Sequence, residues 1–201
     1  MPRNGAPTRQ RILDVAERLV IDNGYAATSL DRVIAESGSS KGSFFHHFAS
    51  KDDLARALVD RYAAADIAQL DAAIAEVSTT TDDPAERVLG FVRLFEDTAD
   101  ELMGAQSSCL YVSVLTEREL IERGTSAQIT TAIEAWREGF AGLLAKALPA
   151  DTPVDVDALA DHLFVTFEGS FILCRATADP SHMRAQLGTL RVLLAALLQA
   201  R

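Results

Sequence analysis

The chain has 201 residues, 48% of them apolar and 24% charged, and a formal net charge of −10. That length and apolar content support one sizeable core, or a small domain joined to a larger one, and exclude a disordered chain. The acidity argues against wholesale coating of nucleic acid, but residues 1–61 carry nine Lys/Arg against eight Asp/Glu and residues 62–201 ten against twenty-one, so the two parts are expected to face different partners.

The start, MPRNGAPTRQR, is basic but no apolar run follows it, so no secretory signal is expected. Arg3, Arg9 and Arg11 read either as an arm for a minor groove or phosphate strand, or as a disordered tail. Apolar residues at Ile12, Val15, Ala16, Leu19 and Val20 form one helical stripe that should stop at Asn23-Gly24. Thr28 with Asp31 has capping-box spacing and opens a short second helix through Leu30, Val33 and Ile34, ended by Ser37-Gly38. A third short helix can begin at Ser40. After HHFAS, Ser50 and Asp53 repeat the capping spacing and open a long fourth helix through Ile74.

Asp83 as N-cap with Pro84 at N1 starts the next helix. The spacing predicts helices over 84–103, 106–121, 125–147, 155–177 and 181–199, separated by Gly104, Gly124, LPADTP and ADP. No run alternates as a strand does, so the expected class is all-α with about nine helices. The longest apolar run, 192–198, is too short to cross a bilayer. Two cysteines, Cys109 and Cys174, are too few for a disulfide framework and too far apart for a paired metal motif, which makes a reducing cytoplasm the default.

The densest chemistry lies in 39–54, SSKGSFFHHFASKDDL. A short helix, a tight turn at ESGSS and a second short helix match a helix-turn-helix, whose second helix enters a major groove. Ser39, Ser40, Lys41 and Ser43 are the small or basic groups that would reach base edges or phosphates. Gly42 costs about 1 kcal/mol against Ala inside a helix and makes sense where another backbone comes close. Phe44 and Phe48 are expected in the core. Adjacent His46 and His47 point to different faces and have no Cys, Asp or Glu at metal spacing, so neither a metal site nor a catalytic pair is expected.

TSLDRVIAESGSSKGSFFHHFASKDDLARALV resembles the N-terminal DNA-binding domain of the TetR family of transcriptional regulators, from about Arg11 to Val59. Gly38, the pair Lys41-Gly42, an aromatic at 45, His47-Phe48 and Lys51 carry the resemblance. It implies that Thr28, Ser39, Ser40, Lys41, Gly42, Ser43, Phe45, His46, His47 and Lys51 line the DNA surface, with His47 and Lys51 on backbone phosphate. Two positions depart from the family pattern. Phe45 stands where a tyrosine hydroxyl usually meets a phosphate, and Ser39 where an apolar residue is common.

A single helix-turn-helix covers few base pairs, and specific binding calls for two half-sites about 34 Å apart, so a homodimer is expected. The last two helices are apolar over a wide arc, and Leu159, Leu163, Thr166, Ser170, Leu187, Leu190, Leu194 and Leu197 are the candidates for its seam; burial within one chain is the alternative. The resemblance implies a four-helix interface there, and an effector pocket among the middle helices. Phe91, Phe95, Phe140, Phe164, Phe167 and Phe171 supply candidate walls, and Tyr111, Trp136, His162 and Glu168 its polar features. SSCLYVSVLTE is similar to a TetR subgroup with a cysteine at the start of the sixth helix, some of whose members sense electrophiles; Cys109 reads either so or as packing.

The expectation is a DNA-binding domain over 1–50 and an effector-binding and dimerisation domain over 51–201. The chain would be a repressor released from a palindromic operator by a small molecule, with no enzymatic activity, cofactor, metal or membrane partner. An activator or ligand-independent regulator is the alternative. A helical enzyme or an adaptor for proteins has less support.

Overall fold

The computed structural model describes residues 6–106, 108–122 and 124–199, and Arg3 lies outside them. All regular structure among these residues is helical: α1 (Ala6–Asn23), α2 (Leu30–Glu36), α3 (Lys41–His47), α4 (Lys51–Thr80), α5 (Pro84–Asp97), α6 (Ala99–Ala105), α7 (Leu110–Leu115), α8 (Arg118–Glu122), α9 (Ala127–Ala147), α10 (Val156–Thr177) and α11 (Ser181–Gln199). There are eleven described helices where the periodicity gave about nine. The expected helices over 84–103 and 106–121 are each broken in two. At both breaks a threonine hydroxyl donates to the carbonyl four residues back, Thr98 to Leu94 at 2.9 Å and Thr116 to Val112 at 2.8 Å. The same bond forms inside unbroken helices, Thr166 to His162 at 2.7 Å and Thr189 to Ala185 at 2.8 Å, so it accompanies the two breaks without accounting for them.

Sequence chemistry sets most of the other ends. Asp83 caps α5, accepting from the Ala85 N–H at 2.8 Å with Pro84 behind it, and Asp155 caps α10 in the same way. α10 ends on Ala178 in the left-handed region, φ 57°. A Cβ there is strained by about 1–2 kcal/mol, which the extra backbone entropy of glycine partly offsets. Ala178→Gly is therefore expected to stabilise the chain by about 0.5–1 kcal/mol, read as a raised thermal midpoint.

The described residues fall into two compact units, one of residues up to 63 with 108–129, the other of 64–106 with 130–199. In the first, α1 packs on α2 and α3, and its Ile12, Leu13, Ala16, Leu19 and Val20 are buried, as are Val33 and Ile34 of α2, Phe44 of α3, Phe48, and Leu54, Leu58 and Val59 of α4. Leu13 takes the place expected for Val15, which is half-buried. Arg61 of α4 reaches α1, with Asp14 and Glu17 each at 2.6 Å.

In the second unit α11 packs on both α5 and α10. Val88, Phe91 and Val92 face Leu187, Leu190 and Leu194, and Phe140 and Leu144 of α9 are buried with them. Gly139 marks where α9 crosses α4: a Cβ would sit 2.9 Å from Ile74 Cδ1 and 3.2 Å from Leu70. Arg191 of α11 forks onto Glu96 of α5 at 2.6 and 3.3 Å, with side chains only 27% and 17% exposed.

The hydrogen bond from Arg191 holds the Glu96 carboxyl below its ordinary 4.5, against the opposing effect of burial. A folded pKa below the unfolded one means that the stabilisation is complete above about 4.5 and is lost as pH falls through the depressed value. Glu96→Gln should thus lower stability by up to about 1 kcal/mol at neutral pH. Thermal midpoints of the two proteins should converge on acidification.

Candidate nucleic-acid interface

The N-cap of α2 is Ser29, whose Oγ accepts from the Arg32 N–H at 3.2 Å. Thr28, expected on the DNA surface and as the cap, is 2% exposed. Its hydroxyl lies 3.1 Å from the Leu19 carbonyl oxygen and 2.9 Å from that of Gly24. Both acceptors belong to the end of α1, so Thr28 ties α2 to α1 and its side chain is not available to DNA in this conformation.

The turn is set by Gly38, φ 63°, a conformation glycine adopts without steric cost. The Ser39 N–H then reaches Ile34 O at 3.1 Å and the Gly38 N–H reaches Ala35 O at 3.2 Å, closing the helix end by the two bonds of a Schellman motif. Arg11 of α1 donates from Nε to Ser37 O at 2.9 Å, so its head group braces this turn. Ser40 caps α3, accepting from the Ser43 N–H at 3.1 Å, which leaves its own O–H free to donate outward.

α3 is pinned from one side only. Phe44 is its buried residue, and Phe48, at its C-cap, is buried too, with the two rings 5.6 Å apart. The opposite face is open: Ser40, Lys41, Gly42, Phe45 and His46 are exposed, and Ser39, Ser43 and His47 are half-buried. Phe45 stands 52% exposed, edge-on to Phe44 at 5.3 Å. Among the described residues no atom of another segment lies within 4 Å of a Cβ built on Gly42, so the close approach it permits is from outside. Ser39 Oγ is buried with no hydrogen-bond partner among the described residues.

Two cations border this face. Lys41 Nζ sits 3.0 Å from Asp31 with both side chains more than 70% exposed, a pair that contributes at most about 1 kcal/mol and can exchange for a phosphate. Lys51 is held more firmly. Its Nζ donates to Tyr25 O at 2.7 Å and lies 4.1 Å over the Tyr25 ring, while the Tyr25 hydroxyl donates to Asp52 at 2.9 Å. Burial lowers the Lys51 pKa, and the charges of Glu117 and Asp52 oppose that. Arg9 covers the Phe48 ring at 5.2 Å. Tyr25 and Glu117 had no signal in the sequence, because their partners lie 26 and 91 residues away.

The residues expected around an effector divide between the units. Phe91, Phe95, Trp136, Phe140 and Phe167 form one aromatic cluster in the second, with Phe91 stacked on Phe140 at 5.2 Å and Phe95 at 5.3 Å from Trp136 and 5.5 Å from Phe167. Trp136 Nε1 is buried without an acceptor among the described residues. Arg137 clamps Asp161 at 2.6 and 2.8 Å, joining α9 to α10 beside it. Phe164 and Phe171 lie on α10, half-buried and buried, and Glu168 is half-buried. His162 is exposed and therefore no polar feature of an enclosed site.

Cys109 and Tyr111 belong to the first unit. Cys109 is 4% exposed at the N-cap of α7, 3.9 Å from the Tyr62 hydroxyl, and Tyr111 meets the Tyr62 ring edge-on at 5.0 Å.

Residues 12–58, the span that builds this helix-turn-helix, match the family model described as bacterial regulatory proteins, tetR family. Residues 12–58 form a DNA-binding domain of the tetR family. The chain is 27% identical over 199 residues to the transcriptional regulator AcuR of Cereibacter sphaeroides, covering 90% of this chain and 87% of that one. The fold matches the crystal structure of the regulatory protein TetR from Rhodobacter sphaeroides, with a TM-score of 0.74 at 24% identity over 91% of this chain and 96% of that one. It also matches a tetR-family regulator from Cytophaga hutchinsonii, with a TM-score of 0.75 at 21% identity over the whole of both chains. A chain with this helix-turn-helix and relatives named as transcriptional regulators is a DNA-binding transcriptional regulator. No described helix is long and apolar enough to cross a membrane.

Proposed function

We propose that the chain is a cytoplasmic homodimeric repressor that leaves a palindromic operator when a small molecule binds its second unit. The observation that carries the DNA-facing half of this reading is α3, anchored by Phe44 on one side and open along Ser40, Lys41, Gly42, Ser43, Phe45 and His46 on the other. Ser40 and Ser43 would meet base edges or phosphates, and Lys41, His47 and Lys51 the backbone, while the buried Ser39 hydroxyl lies out of reach in this conformation. Phe45 would pack against sugar, having no hydroxyl to donate.

The dimer seam needs a different register from the one the leucines suggest. Leu163, Ser170, Leu187, Leu190 and Leu194 are buried within the single chain, and Leu159, Thr166 and Leu197 are half-buried. What α10 and α11 leave open is Val165, Ile172, Leu173, Val192 and Leu193, between 40% and 61% exposed. On α11, Ala185, Thr189 and Ala196 extend Val192 into an exposed stripe of small residues, which lets a partner helix come close. We place the interface on this outer face.

For the effector, the aromatic cluster offers flat apolar surface, and the Trp136 N–H is a donor whose burial without an acceptor costs about 1–3 kcal/mol. A flat molecule with a hydrogen-bond acceptor would satisfy it. α4 runs unbroken from Lys51 beside the DNA face to Thr80, so a shift at one end is felt at the other. The ligand acts only through its different affinity for the two arrangements, and couplings of this kind amount to about 1–3 kcal/mol.

The test at the DNA face is Lys41→Ala. Affinity should fall by a similar factor for every duplex, and the slope of log affinity against log salt should shrink by about one. An unchanged slope removes Lys41 from the phosphate contacts.

A further inference from the structure

We infer that Glu117, on the turn between α7 and α8, is a positioning residue for DNA binding. The six-residue connection between α1 and α2 contains a turn at Tyr25, Ala26 and Ala27. It fixes the start of α2, and it holds Lys51 by both the Tyr25 carbonyl and the Tyr25 ring. The Ala26 N–H is exposed and lies outside either helix ladder, and it donates to Glu117 Oε1 at 3.1 Å. A charged acceptor makes this stronger than a neutral bond.

Glu117 is itself well placed to hold. Its own N–H donates to Val114 O at 3.0 Å, its carbonyl accepts from Leu120, and both Val114 and Leu120 are buried in the first unit, where α7 packs on α1. The same carboxylate is close enough to Lys51 to favour the charged ammonium against its partial burial. Glu117 thus acts on one short turn in two ways. It tethers the backbone that holds Lys51, and it balances the charge of Lys51 when no DNA is present.

The inference rests on the reading of Lys51 as a phosphate contact, and one set of proteins separates the two. Wild type, Glu117→Ala, Glu117→Gln, Lys51→Ala and the double variant Glu117→Ala/Lys51→Ala are each titrated as full chains against a mixed-sequence DNA duplex over a range of salt. Circular dichroism checks that each is folded. Glu117→Ala should bind about tenfold more weakly, with a salt slope smaller by about one, as Lys51→Ala does. The double variant should be no weaker than about twofold below the worse single one, because both act through one contact. Glu117→Gln keeps an oxygen for the Ala26 N–H and should stay within about threefold of wild type.

Glu117→Ala binding as well as or better than wild type would make Glu117 a mere repulsive charge and overturn the inference alone. Glu117→Gln as weak as Glu117→Ala, or additive loss in the double variant, would also overturn it. A wild-type slope in Lys51→Ala would overturn the phosphate reading of Lys51, and the inference with it.

Discussion

Phe44→Ala should destabilise the chain by about 3–5 kcal/mol and abolish DNA binding at temperatures where the wild type is folded. Phe44 is wholly buried and is the buried residue of the seven-residue α3. A helix that short does not persist on its own propensity, so its order comes from packing. Removing the ring leaves a cavity beside Phe48 and releases the element that faces the groove. A loss of this size is a large fraction of the roughly 5–15 kcal/mol that typical domains have. Chemical denaturation followed by circular dichroism measures it. Phe44→Leu, which keeps most of the apolar volume, should lose much less; equal losses would mean that the ring does not anchor α3.

Val192→Asp is expected to give a folded monomer that binds operator DNA about 10²–10⁴-fold more weakly than the wild type. Val192 is 61% exposed in the single chain, so a carboxylate there stays solvated and the fold survives. In a dimer formed on the outer face of α10 and α11, the same carboxylate would be buried without a partner, at a cost of several kcal/mol. Sedimentation reads the oligomeric state and duplex titration the lost second half-site. A Val192→Asp protein that still sediments as a dimer would move the interface off this face.

The helix-turn-helix was the most legible region in the sequence because its determinants are local: Gly38 for the left-handed turn, Ser40 as cap, Phe44 and Phe48 at helical spacing. Thr28 misled for the same reason. Capping-box spacing favours Thr28, three residues before Asp31, over Ser29, three residues before Arg32, and only the position of the carbonyls at the end of α1 decides that Thr28 turns inward. The aromatic cluster was half legible: helical periodicity marked its members as apolar, but which rings meet depends on how α5, α9 and α10 pack. It therefore could not separate Tyr111 and Cys109, which join Tyr62 in the other unit.

The two broken helices and the dimer register show a second limit. No glycine or proline marks the breaks at Thr98 and Thr116, so helical spacing reads through both. On α11 both stripes are apolar, and the larger leucines take the interior while Val192, Leu193 and the alanines stay outside. A helix that is apolar nearly all round announces burial on two sides without saying which side meets its own chain. The Glu117–Ala26 bond had no local signal at all.

The central claim, that the face of α3 meets the phosphate backbone and bases of duplex DNA, is tested most directly by titrating the full chain against a duplex at several salt concentrations. The account predicts a log affinity that falls linearly with log salt, with a slope set by roughly 0.9 per neutralised phosphate. An affinity independent of salt would contradict it.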